Sequence, residues 1–137
     1  VGDTSSVFKI DAAGNPVSVA GTAARPGSRP PATYWGNPIY DWDAMEADGF
    51  SWWEGRIRAA LDMYDVIRLD HFRGFEAYWE VPFSSPDSSY GSWTQGPGLK
   101  LFKTLEEKLG TLPIIAEDLA SSPPASSICA TTRASPA

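Results

Sequence analysis

Val66-Ile67-Arg68-Leu69-Asp70 and Leu112-Pro113-Ile114-Ile115-Ala116-Glu117 decide how this chain is read. Each is short, mostly apolar, rich in branched side chains and closed by an acid, the pattern of a strand buried in a parallel sheet. Ahead of the first, Trp53, Ile57, Ala60-Leu61 and Tyr64 recur at three and four, predicting an amphipathic helix that stops at Tyr64-Asp65. Ser51 with Glu54 three positions on supplies a reciprocal side-chain cap for its start. Between the two strands, Gly98 opens a second helical run. Leu101, Phe102, Leu105 and Leu109 share one face, the lysines and glutamates among 100–108 face water, and Gly110 stands where a left-handed terminator belongs. Helix, strand, long loop, helix, strand is the order of βα units, so the fold class is α/β with a parallel sheet.

Outward from this centre the signals change. Val7-Phe8-Lys9-Ile10 and Val17-Ser18-Val19 flank the Gly14-Asn15-Pro16 turn, which predicts a hairpin over 7–19. Residues 21–33, broken by Arg25-Pro26-Gly27 and Arg29-Pro30-Pro31, read as irregular surface loop. Tyr34-Trp35-Gly36-Asn37-Pro38-Ile39-Tyr40 reads as a tight aromatic turn and 43–47 as a short helix. The stretch 72–97 is aromatic, glycine-rich and aperiodic; loops of that length are commonly functional. Trp35, Trp52, Trp53, Trp79 and Trp93 are candidates for core packing. Trp35 and the loop aromatics Phe75, Tyr78 and Trp79 are candidates for flat contacts to sugar rings. Residues 120–137, dominated by Ser, Pro, Ala and Thr, are expected to stay disordered.

Composition narrows the class. Across 137 residues, seventeen acids against eleven bases give a net charge of −6, the wrong balance for neutralising phosphates, so no nucleic acid partner is expected. No stretch nears the roughly 18 apolar residues of a membrane span, and no basic region precedes an apolar run. The single cysteine, Cys129, forms no internal disulfide and suits a reducing compartment, so a cytoplasmic location is expected. One histidine, His71, makes no multi-histidine metal site, and Cys-x-x-Cys pairs, phosphate loops and serine elbows are missing from the sequence.

Asp70 and Glu117 close their strands, and in a parallel sheet the carboxyl ends of strands line the functional crevice. One helix and one loop separate them, so their strands are expected to be neighbours, about 4.8 Å apart. That is close to the ~5–5.5 Å between the two carboxyl groups of a retaining glycosidase, whereas inverting enzymes hold them further apart. Arg68, two residues before Asp70 and on the same strand face, would favour an ionised Asp70, as a nucleophile requires. Glu117, in an apolar run beside Asp118, would have its pKa raised by burial and like charge, as a proton donor requires. The same residues equally fit a structural Arg68–Asp70 ion pair with Glu117 as a cap.

Three segments carry a resemblance: Trp35-Gly36-Asn37-Pro38-Ile39-Tyr40-Asp41-Trp42, then Ile67-Arg68-Leu69-Asp70-His71-Phe72-Arg73-Gly74-Phe75-Glu76-Ala77-Tyr78-Trp79-Glu80-Val81-Pro82, then Ile114-Ile115-Ala116-Glu117-Asp118-Leu119. Together they resemble the 4-α-glucanotransferases, the amylomaltase or disproportionating enzymes of glycoside hydrolase family 77. The resemblance runs from Trp35 to Leu119, and weakly over the hairpin. It implies a partial (β/α)8 TIM barrel with a hairpin insertion, divided as 1–33 hairpin and irregular insertion, 34–119 barrel fragment and 120–137 tail. It implies no cofactor and no metal, Asp70 as nucleophile, Glu117 as general acid/base, Arg68 and His71 as sugar contacts and Trp35 on the acceptor side. The partners it implies are α-1,4-glucan or maltooligosaccharide donors and acceptors. The alternatives are a retaining hydrolase of the same clan and a non-catalytic glucan-binding fragment.

The chain departs from the family pattern in three ways. A full barrel of this type needs about 250 residues, and the family's third acid, in a Thr-His-Asp segment, has no counterpart in this sequence. Residues 22–33 lack the aromatic and Thr-Gly-Gln character that precedes Trp-Gly-Asn-Pro in the family. Finally, the family continues Ala-Glu-Asp-Leu with Gly-Val-Ile-Thr-Pro, where this chain has Ala120-Ser121-Ser122-Pro123-Pro124. Codons GCG-TCA-TCA-CCC-CC read two bases along, as if one base had been lost ahead of them, contain Val-Ile-Thr-Pro, which points to a one-base frameshift near Leu119.

Overall fold

A computed structural model of the chain describes residues 7–23 and 33–117. Its elements in order are β1 (Ser18–Gly21), β2 (Tyr34–Pro38), α1 (Trp42–Ala47), α2 (Ser51–Leu61), β3 (Ile67–Leu69), β4 (Ala77–Pro82), β5 (Ser92–Gln95), α3 (Gly98–Leu109) and β6 (Ile114–Ala116), with 3-10 turns at Phe72–Phe75 and Ser88–Tyr90. The class is α/β. β3 and β6 pair in parallel, joined through α3, as the alternation of apolar runs requires. A four-stranded antiparallel sheet, in the order β2-β1-β4-β5, is inserted around this unit.

α2 and α3 supply the core of the βα unit. Trp53 and Ile57 of α2 and Leu101, Phe102 and Leu105 of α3 are buried with Met45, Phe50, Phe72, Phe75 and Ile114. Each fully buried side chain of this kind contributes roughly 1.5–3 kcal/mol relative to exposure. Lys100 and Lys108 of α3 are exposed, as expected, and also tie the helix back to the preceding segment: Lys100 pairs with Glu46, and Lys108 pairs with Glu54 and donates to the Gly49 carbonyl. α3 ends at Gly110 with φ 80° and ψ −156°, a region essentially reserved for glycine, as its position in the sequence predicts.

In the antiparallel sheet, Val19 and Val81 face one another across β1 and β4, both completely buried. Gly21 permits a close crossing: a Cβ there would lie 2.5 Å from Ser88 Oγ, and Ser88, also fully buried, donates to the Thr22 carbonyl at 2.7 Å. The base of the β4–β5 hairpin is pinched where the Gly96 N–H donates to the Glu76 carbonyl at 2.8 Å. A Cβ at Gly96 would fall 2.4 Å from the Phe75 carbonyl oxygen, so only glycine fits that stem.

Several expectations need correcting. The 72–97 stretch is not one long loop; it carries β4 and β5, paired antiparallel with Trp79 opposite Trp93. Tyr34 to Pro38 is strand, not turn, with Gly36 at φ 75°. The hairpin over 7–19 turns as expected, on the Asp11 carboxylate accepting from the Ala13 and Asn15 N–H groups. Its first arm, however, makes only isolated bridges, Phe8 to Tyr40 and Ile10 to Pro16. The start of α2 is not capped by Ser51; Asp48 accepts from the Ser51 N–H and hydroxyl, while Glu54 turns to Arg58 and Lys108. α2 closes at Leu61, and Tyr64 is exposed. β3 is not a buried strand: Val66 is 50% exposed, since β6 is its sole strand neighbour among the described residues. Trp93, a core candidate, is 55% exposed. Residues 24–32 of the irregular loop and the whole 118–137 tail lie outside the described residues.

Candidate active site

Asp70 and Glu117 follow the last paired residues of two adjacent parallel strands. The register runs Ile67 to Ile114, Arg68 to Ile115 and Leu69 to Ala116. It continues one step further, because the Glu117 N–H donates to the Leu69 carbonyl at 2.9 Å and the Phe72 N–H donates to the Glu117 carbonyl at 3.0 Å. The two acids therefore stand side by side at the carboxyl edge, as the sequence spacing predicts.

Their charge environment differs from the expectation. Arg68 pairs with Glu117, not with Asp70. Glu117 Oε2 is buried, and the Arg68 guanidinium meets it as an ion contact without a directional hydrogen bond. The cation assigned by spacing to Asp70 thus sits on its neighbour. A two-residue offset puts Arg68 and Asp70 on one face, yet the long arginine side chain reaches across to the next strand. Asp118, the proposed like charge, lies outside the described residues.

Asp70 is exposed, and its Oδ1 accepts the His71 N–H at 2.9 Å. That bond exists because His71 takes a left-handed backbone, φ 50° and ψ 46°, uncommon for a residue with a Cβ and frequent at functional turns.

Arg68, Asp70 and His71 line a cleft of about 430 Å3. Its far wall is aromatic: Tyr40 lies 5.1 Å from Trp42 and 5.8 Å from Trp53 between ring centroids, and Phe75 lies 5.4 Å from Trp53. Arg56 also lines it, its guanidinium 5.1 Å from the Trp53 ring and donating to the Tyr40 hydroxyl at 3.1 Å. Nothing in the periodicity of α2 distinguishes Arg56 from the other polar residues off the apolar face; the cation–aromatic contacts come from tertiary packing. Tyr78 of β4 also lines the cleft. Burial pushes its phenol well above the ordinary range, with the Glu80, Asp43 and Asp41 carboxylates adding to the effect, so it stays a hydrogen-bond donor.

Of the aromatics weighed as sugar contacts, Phe75 and Tyr78 line the cleft, while Trp79 turns to the other face and donates to the Ser88 carbonyl at 2.8 Å. Trp35 sits on β2, 53% exposed and outside the cleft lining. Among the described residues, no group of three or more His, Cys, Asp or Glu is placed to hold a metal ion. No helix there is long and apolar enough to cross a membrane.

Asp70 lines this open, aromatic-walled cleft, while Glu117, on the neighbouring strand tip, lies outside its lining and meets it through Arg68. Paired acids beside an aromatic cleft are the kind of site found in enzymes that act on carbohydrate. A family model described as 4-alpha-glucanotransferase matches residues 29–132. The chain belongs to that family. It is 48% identical over 119 residues to the 4-alpha-glucanotransferase of Streptococcus pneumoniae, covering 82% of this chain and 22% of that protein. With the Thermus thermophilus 4-alpha-glucanotransferase it shares 46% identity over 116 residues, with the same coverage. Among solved structures, the amylomaltase from Streptococcus agalactiae in complex with acarbose superposes with a TM-score of 0.76 at 46% identity, over 83% of this chain and 23% of that one. The chain thus spans about a fifth of the length of these relatives.

Proposed function

We propose that this chain is the piece of a 4-α-glucanotransferase barrel that carries the nucleophile and the general acid/base, acting on α-1,4-glucans in a cytoplasmic setting. The parallel β3–β6 pair with α3 represents the central βα units of a (β/α)8 barrel, incomplete in this chain, and the antiparallel sheet is the family-specific insertion. One observation carries the reading: Asp70 and Glu117 extend a continuous parallel register, and the chain matches over this region relatives that are named 4-alpha-glucanotransferase.

In the first half-reaction Asp70 Oδ2 attacks the anomeric carbon of a bound glucan. The bond from that carbon to the glycosidic oxygen breaks, and Glu117 gives its proton to the departing 4-oxygen. The donor chain is then an ester of Asp70. In the second, the 4-hydroxyl of an acceptor glucan or glucose attacks the same carbon, Glu117 takes the hydroxyl proton, and Asp70 leaves as carboxylate. Two inversions give net retention. For Glu117 to hold a proton, Arg68 must turn from it towards Asp70 and the sugar, a swing its exposed side chain permits. His71 contacts the sugar beside the nucleophile, and Trp35 serves the acceptor side. The acarbose bound to the Streptococcus agalactiae relative supports maltooligosaccharides as the ligand class.

The test is a chimera in which residues 34–117 replace the matching segment of the Streptococcus agalactiae amylomaltase. Maltotriose should be converted to glucose and longer oligomers, and Asp70→Asn or Glu117→Gln within the graft should abolish this by a factor of at least about 10^4. A graft that works equally well without either acid refutes the assignment, and one that yields only shorter products points to a hydrolase. The isolated chain should not turn over maltotriose.

A further inference from the structure

We propose that Gly74 is a positioning residue of the site: the space left by its missing side chain is the seat of the His71 imidazole. The meaning of the seat for glucan binding rests on the function proposed above; its geometry does not.

Gly74 is not required by its backbone, since its φ lies outside the left-handed range. It is required by a neighbour. A Cβ at position 74 would lie 3.0 Å from His71 Cδ2, tighter than side-chain carbons normally approach, with His71 Nε2 at an ordinary contact distance of 3.5 Å, so the ring would have to give by a few tenths of an ångström. The imidazole comes this close because the chain folds back on itself. The left-handed His71 backbone sends its N–H to Asp70 Oδ1, and the Gly74 N–H returns to the His71 carbonyl at 2.8 Å, closing the turn. The Phe72 N–H, donating to the Glu117 carbonyl, fixes the same turn to the second strand tip. A strained residue persists where its surroundings over-determine it. Here the backbone of His71 orients one oxygen of Asp70 while its ring is laid over Gly74, and both residues line the cleft.

His71 is exposed. A methyl group at 74 is therefore accommodated by moving the ring instead of breaking the fold, so the cost falls on position more than on stability. Displacements under an ångström at a reacting or binding group are enough to matter.

His71 is the one histidine of the chain, so its imidazole gives a single, unambiguous NMR signal. In the wild-type chain we expect a cross-peak between the His71 Hδ2 and the Gly74 α-protons. In Gly74→Ala the imidazole resonances should shift while the indole N–H signals of the tryptophans stay in place, and acarbose should bind about ten-fold more weakly. An imidazole signal unchanged by Gly74→Ala overturns the proposal, as does a shifted signal with unchanged acarbose affinity. A wild-type chain that ignores acarbose, yet shows the cross-peak and the shift, upholds the seat and counts against the glucan reading instead. If Gly74→Ala prevents folding, adding His71→Ala should restore it, because the added methyl then meets no ring. A double variant that stays unfolded also overturns the proposal.

Discussion

Phe50 offers the sharpest test of the energetics described above. It is 1% exposed, sits in the core with Trp53 and Ile57, and has a left-handed backbone of φ 58° and ψ 36° at the entry to α2. Two opposing effects meet at this residue. Burying a phenylalanine removes about 150–250 Å2 from water, and truncating one to alanine in a core costs about 3–5 kcal/mol. The left-handed conformation costs any residue with a Cβ about 1–2 kcal/mol, and glycine almost nothing. Phe50→Ala loses the ring and keeps the backbone cost. Phe50→Gly loses the same ring and sheds that cost. Both variants should be destabilised, but glycine less than alanine by about 1 kcal/mol, the reverse of the order found inside helices. Urea unfolding followed by tryptophan fluorescence and far-ultraviolet circular dichroism reads the difference. With a slope near 1.5 kcal/mol/M, the alanine variant's midpoint should fall by about 2–3 M and the glycine variant's by somewhat less. An alanine variant as stable as the glycine variant, or more so, would show that the left-handed turn carries no strain.

Gly110→Ala should cost about 1–3 kcal/mol in the same assay, since no atom lies near the added Cβ and the whole effect is conformational; a loss below a few tenths refutes that account. Burial pushes the Glu80 carboxyl up, but the Ser18 hydroxyl, the Lys9 ammonium at 3.0 Å and Thr94 outweigh it and hold the group below its ordinary value of 4.5. A carboxylate held low in the folded state stabilises the fold above its unfolded pKa and loses that contribution as pH falls through the folded value. Stability should therefore decline below pH 4.5, with a shallower decline in Glu80→Gln; identical acid limbs would remove Glu80 as a cause. The coding DNA bears on the tail. Synonymous codons exist for 119–137 such that one restored G after the Leu119 codon yields Leu-Gly-Val-Ile-Thr-Pro-Arg-Ile-Glu-His-Leu-Arg-Asp-Asp-Ala-Gly-Phe-Pro-Gly. That reading replaces a run of small residues by apolar and charged ones in alternation, and nucleotide sequencing should find those codons. Codons unable to give it exclude the frameshift.

The parts of this molecule held together by local periodicity were legible in its sequence. α3, its glycine terminator and the parallel partnership of β3 with β6 follow from side-chain pattern, because burial on one face demands it. What failed depends on contacts between distant segments. Arg68 was assigned to the acid on its own strand, since facing side chains are readable along a strand and the reach of a long one across strands is not. The Asp48 cap was missed because Ser51 and Glu54 mimic a self-contained one. β4 and β5 hid among aromatics and glycines whose spacing reflects Gly91 beneath the Trp79 indole and Gly96 against Phe75, not a repeating face. At the site, Asp70, Glu117, His71 and the loop aromatic Tyr78 announce themselves in the sequence, while Arg56 becomes visible only once folding brings distant segments to one cleft.

The narrow neck at Glu76 and Gly96 makes the β4–β5 ribbon a cassette. Whatever leaves the βα unit after the Phe72–Phe75 turn returns beside its point of departure, directly ahead of α3. β1 pairs along β4 and Ser88 is buried, so length is free to change at the exposed tip between them, around 83–87, without moving either acid. A lineage could trim, lengthen or retile that tip while both strand ends, and the acids on them, stay where they are.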